Sequence, residues 1–129
     1  MDTVAFLAYL ADSLPPKVDM IFTQAENREI NLILPSIALG EVLYTIYKGK
    51  EVFGKKIPVQ KIELLFSVLE SGVGFTLADM DLTCWRTFQK LDIPELHDRM
   101  IAAIAITYKA KALISNDREI ASKTPTLWE

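Results

Sequence analysis

Apolar residues recur three and four apart at the start of the chain, at Val4, Phe6, Leu7, Leu10 and Leu14, which predicts a helix over 3–14. Pro15 and Pro16 stop it. Residues 17–28 read as a second, weaker helix. Asn31-Leu32-Ile33-Leu34 is a short apolar run ended by Pro35 and reads as a strand, after which Ser36 caps a helix reaching about Lys48. Residues 59–70 form another amphipathic helix, closed by Ser71-Gly72. Val73–Leu77 is a second strand, a helix runs from about Asp79 to Leu91, and Pro94 precedes the next one. That helix, about His97 to Lys109, is apolar nearly all round through Met100, Ile101, Ala102, Ala103, Ile104, Ala105 and Ile106, the pattern of a buried helix. Ala112–Ser115 reads as a strand, Asn116-Asp117 as a turn, 118–123 as a short helix, and Thr126-Leu127-Trp128 as a last short strand.

Helices and strands alternate, and the strands are short and apolar enough for burial on both faces. The expected architecture is α/β, with three layers and a short, central, mostly parallel sheet flanked by helices. Ligands of such sheets bind beyond the C-terminal ends of the strands.

Four carboxylates sit where strand-like and helix-like runs meet: Asp2, Glu41, Asp98 and Asp117. A fold that gathers those junctions at one sheet edge gathers four oxygen ligands, which repel one another unless protons or cations intervene. Each has a plainer reading. Asp117 suits a helix N-cap. Asp98 and Asp2 suit the start of a helix, where a carboxylate complements the helix dipole. Glu41 lies opposite the Leu39, Val42, Leu43 and Ile46 face, with Ile37 and Tyr44, and is the one charged residue between Asn31 and Tyr47. It reads equally as an exposed acid or as one aimed into a cleft.

The length of 129 residues fits a single domain, 1–129, with a real core. Cys84 is the only cysteine and His97 the only histidine, which excludes an internal disulfide and a Cys- or His-based zinc site. The sequence has no signal-peptide pattern and no apolar run long enough for a membrane span, so a cytoplasmic location is expected. The net charge of −3 argues against nucleic-acid binding through bulk positive charge. Cations bound at an acidic cleft would reverse the local sign.

Taken together, the segments Asp2-Thr3, Pro35–Val42, His97–Ala103 and Leu113–Ile120 resemble those of the PIN-domain ribonucleases, most closely the VapC toxins of prokaryotic toxin–antitoxin pairs. The resemblance spans essentially the whole chain and rests on the ordered set of four segments. It implies Asp2, Glu41, Asp98 and Asp117 as catalytic, metal-binding acids, with Thr3, Ser115 and Asn116 in support. Asp2, Asp98 and Asp117 would be the main ligands, and Glu41 a ligand or a water-orienting group. Mg²⁺ or Mn²⁺ would position and deprotonate a water for in-line attack on an RNA phosphodiester. The implied partners are an RNA substrate, a VapB-like antitoxin and a second copy in a homodimer. The family pattern has several apolar residues before the first aspartate. Here only Met1 precedes Asp2, so either the true start lies upstream, or the N-terminal strand is truncated and Asp2 sits on a fraying end.

Lys48, Lys50, Lys55, Lys56 and Lys61 form the basic cluster, read as a solvated loop or, for Lys55 and Lys56, as RNA contacts. His97 is expected to be structural, Asp79 and Asp81 capping or surface acids, and Trp85, Phe88 and Leu91 core or dimer-face residues. Arg99 and Arg118 are surface charges or substrate contacts. Competing functions are a stand-alone RNA-processing nuclease of the same fold, a non-catalytic PIN-like module binding RNA or protein, and an acid-cluster phosphatase.

Overall fold

A computed structural model describes residues 1–129. The chain opens directly into α1 (Thr3–Leu10), whose N-cap Asp2 accepts the Ala5 N–H at 2.9 Å. Helix α2 (Pro16–Glu26) begins on a proline, which needs no hydrogen-bond partner at the first helical position. Strand β1 (Leu32–Pro35) leads into α3 (Ser36–Tyr47). Pro35, not Ser36, holds the N-cap position, and no side chain caps this helix. The basic stretch expected to be a loop is a small hairpin, β2 (Glu51–Val52) against β3 (Lys55–Lys56), antiparallel.

Helix α4 (Lys61–Ser71) ends on Gly72 in the left-handed conformation and is followed by β4 (Phe75–Ala78). Helix α5 (Leu82–Lys90) starts later than its sequence pattern suggests, because Asp81 caps it at the Cys84 N–H. Helix α6 (Leu96–Thr107) starts one residue before His97, capped by Glu95. Strand β5 (Leu113–Ile114), the single turn α7 (Arg118–Ala121) and β6 (Thr126–Leu127) complete the chain.

The α/β architecture and its parallel pairing match expectation, but the sheet is divided into pairs. β1 pairs in parallel with β4, from Leu32 opposite Phe75 to Pro35 opposite Ala78, and β5 pairs in parallel with β6. Between β1 and β5 lie only Met1 and Asp2. The Met1 ammonium donates to Ile33 O at 2.9 Å, and the Asp2 N–H donates to Ile114 O at 3.0 Å. These two bonds tie the pairs together through the chain start. Beneath them an apolar cavity of about 460 Å³ is lined by Leu32, Ile33, Ile104, Leu113, Ile114 and Leu127 among others.

One principal core unites the elements. Phe6 and Tyr9 of α1, Phe22 of α2 and Phe75 of β4 form an aromatic cluster, with the Tyr9 and Phe22 rings stacked at 4.6 Å. Ala38, Val42 and Ile46 bury one side of α3. In α6 the buried residues are Ile101–Ile104, while Ile106 is exposed, so the helix is less completely enclosed than its composition predicts. Helix α5 packs along α6, and both α3 and α6 pack on β1.

Candidate functional site

The site is assembled where the chain start, α3, α6 and the β5–α7 turn meet. Asp2 is 5 % exposed and held by backbone bonds on both sides, so it is not on a fraying end. The expectation of a frayed terminus fails because its own N–H is spent on β5 and its carboxylate on the first turn of α1. Burial raises the Asp2 carboxyl above its ordinary value, against hydrogen bonds from the Ser115 hydroxyl and the Ala5 N–H that favour the charged form.

Ser115 is buried and links two of the acids. Its hydroxyl serves Asp2, and its Oγ accepts the Asp117 N–H at 3.0 Å. Asp117 Oδ1 in turn accepts the N–H groups of Glu119 and Ile120, so Asp117 is the N-cap of α7. Asn116, between them, is exposed to solvent.

Glu41 sits on the exposed side of α3. Thr3 Oγ1 donates to its Oε1 at 2.6 Å, and His97 Nδ1 lies 3.2 Å from its Oε2. Thr3 thus fixes one carboxylate oxygen of Glu41. His97 is not merely a helix residue, since it engages Glu41 directly. Asp98, one residue on, stands in the first turn of α6, where its N–H donates to Glu95 Oε2 at 2.6 Å.

Asp98 reports the convergence of the acids. Its carboxyl is pushed up to about 6, by partial burial first and then by the negative charges of Asp117, Glu95, Asp2 and Glu41. All four predicted acids thus share one electrostatic neighbourhood, joined by Glu95. Sequence reasoning missed Glu95 because glutamate is a weak N-cap type, although its place three residues before Asp98 is the spacing of a capping contact. It also undervalued His97, whose reach to Glu41 depends on how α3 and α6 pack.

The donor chemistry is all carboxylate oxygen, the kind that hard divalent cations take. The mutual repulsion at Asp98 is what a cation among these groups would relieve. As the side chains stand, no three of them are gathered closely enough to ligate one ion. The charge pattern fits a cation, and the present rotamers do not complete its coordination.

Several other candidates are accounted for structurally. Lys55 Nζ donates to Ala11 O at 2.9 Å, and Lys61 Nζ donates to Leu10 O, so both lysines satisfy the C-terminal end of α1. Arg99 lies over the Phe88 ring at 4.4 Å and donates to the Phe88 and Gln89 carbonyls, tying α6 to α5. Trp85 is exposed and packs edge-on against Phe88, so of its two readings, core or dimer face, the core one does not hold. Asp81 is a cap, as read, and the Cys84 N–H it accepts holds its carboxyl below the usual range. Lys56, Asp79 and Arg118 are exposed.

A family model described as PIN domain matches residues 1–124. No curated protein and no solved structure matches the chain.

Proposed function

Since the chain belongs to the PIN-domain family, which in general comprises nucleases, we propose that it is a metal-dependent endoribonuclease, the toxin of a VapBC-type toxin–antitoxin pair. The observation that carries this reading is the Asp98 carboxyl, raised by partial burial first and then by the charges of Asp117, Glu95, Asp2 and Glu41 together. Acids far apart in sequence act on one carboxyl, at the positions the resemblance assigns to the site. A purely capping role for each one would not require them to share a neighbourhood.

Asp2, Asp98 and Asp117 would hold Mg²⁺ or Mn²⁺, with Glu41 completing the set. A bound divalent ion supplies Lewis-acid activation of a water and neutralises charge at a phosphodiester. The chain's own contributions are separable. Ser115 orients the Asp2 carboxylate and fixes the Asp117 backbone. Thr3 and His97 hold Glu41 from either side. The cation also allows an RNA phosphate to approach a cluster that would otherwise repel it. A VapB-like antitoxin would compete by placing a basic side chain among the same acids, and exposed Val4 and Met20 support α1 and α2 as a homodimer face.

Cleavage of end-labelled mixed RNA in Mn²⁺ or Mg²⁺, against EDTA, tests this reading. The expected result is cleavage that EDTA abolishes and that Asp98→Asn lowers by at least about 100-fold. Cleavage that survives both would overturn the assignment. A second reading, a non-catalytic RNA-binding PIN module, is favoured by one observation: no three acids are yet close enough for one ion. A folded wild-type chain with no metal-stimulated cleavage supports that reading instead. A stand-alone RNA-processing nuclease would use the same site and differ only in having no cognate antitoxin.

A further inference from the structure

Beside Glu41, the exposed face of α3 continues into a groove formed by Thr3, Ile37, Gly40, Tyr44, Lys50 and His97. The Tyr44 ring is 56 % exposed and takes no part in the core, which α3 reaches through Ala38, Val42 and Ile46. Two cations attend this ring. Lys50 Nζ is 5.3 Å and Lys48 Nζ 5.5 Å from its centroid. Gly40, one turn before Tyr44, carries no side chain, and a Cβ there would meet nothing within 4 Å, so the floor between Glu41 and Tyr44 is open.

Resting on the nuclease reading of the acid cluster, we propose that this groove is a shelf for one unpaired nucleotide of single-stranded RNA, with Tyr44 stacking on the base and Lys48 and Lys50 taking the flanking phosphates. Three observations select this occupant. An exposed aromatic between cations is the pairing that binds single strands, because every base offers a π-face and every linkage a charge. A base within a duplex is already stacked on both sides and leaves no face for the ring. With Lys55 and Lys61 committed to the end of α1, Lys50 is the lysine of the basic cluster that lines the groove beside Glu41, and Lys48 joins it at the Tyr44 ring. Tyr44 lies roughly 5 Å along the helix axis from Glu41, and Lys48 roughly 10 Å, so the groove leads straight out of the acid cluster.

The test is fluorescence anisotropy in Mg²⁺ with a labelled ten-nucleotide single strand, in the Asp98→Asn background to prevent turnover. Tyr44→Ala should weaken binding about tenfold, the size of one lost stacking contact, while Tyr44→Phe stays within about twofold. Moving one abasic residue along the strand should reveal a position that costs affinity with Tyr44 and none with Tyr44→Ala. Lys50→Ala should flatten the dependence of log K on log salt by about 0.7. Unchanged binding in Tyr44→Ala, an abasic penalty that persists without the ring, or equal Tyr44 dependence for a duplex would each overturn the shelf. The two proposals fail separately. Wild-type cleavage that needs Asp98, with an unaltered KM in Tyr44→Ala, removes the shelf and leaves the nuclease. Tyr44-dependent binding with no cleavage by the wild type removes the nuclease and leaves the shelf.

Discussion

Asp98 concentrates the conflict between stability and chemistry at the residue scale. Its carboxyl titrates near 6 in the folded chain but near 3.8 when unfolded, so its contribution is fully present below about pH 4 and lost as pH rises through 6. The Met1 ammonium behaves in the opposite sense. Burial lowers it from 8.0 to about 6, so the folded state is favoured above pH 8 and loses about 2 kcal/mol as pH falls to 6. Urea unfolding in EDTA should therefore find these two groups jointly least favourable near pH 6. The dip should be shallower in Asp98→Asn, which cannot titrate, and an equal dip in both proteins would exclude Asp98 as its cause. The helix-start readings of Asp2, Asp98 and Asp117 were legible in the sequence, and the structure places each at the N-cap or in the first turn of a helix. The Glu41–His97 pair was not legible, since it depends on the approach of two helices 56 residues apart in the chain.

At the element scale, two glycines give opposite expectations. Gly74 has φ +78, and a Cβ there would fall 2.0 Å from Ala25 O, while its own carbonyl accepts the Leu32 N–H that starts the β1–β4 pairing. Gly74→Ala should cost about 3 kcal/mol or more, read as a drop in the urea midpoint. Gly40 is helical, with open space around it, and Gly40→Ala should stabilise by about 0.5–1 kcal/mol in the same assay. The end of α1 offers a third case. Lys61→Ala and Lys55→Ala should each cost about 0.5–1 kcal/mol by freeing the carbonyls of Leu10 and Ala11, a loss visible in thermal unfolding. Apolar periodicity located every helix, because burial of one face sets that period. It misplaced the starts of α3, α5 and α6, where the N-caps are Pro35, Asp81 and Glu95, since caps are chosen by loop geometry as well as by residue type.

For the whole molecule, the order of elements was enough to predict an α/β fold with parallel strands, and the PIN match over residues 1–124 agrees with it. The short N-terminal strand expected from the sequence appears as the division of the sheet, while the two bonds by which Met1 and Asp2 join β1 and β5 depend on packing and were not legible in it. No helix is long and apolar enough to cross a membrane. The central claim is the proposal that the acids at the chain start, α3, α6 and α7 together hold a cation, which would relieve their mutual repulsion. Equilibrium unfolding of the wild type and Asp98→Asn, in EDTA and then in saturating Mn²⁺, tests it most directly. The account predicts that Asp98→Asn is the more stable protein in EDTA near pH 7.5. Mn²⁺ should reverse the order, stabilising the wild type by about 2.7 kcal/mol at a hundred times its Kd and the variant far less. Equal stabilisation of both proteins by Mn²⁺, or of neither, would contradict it.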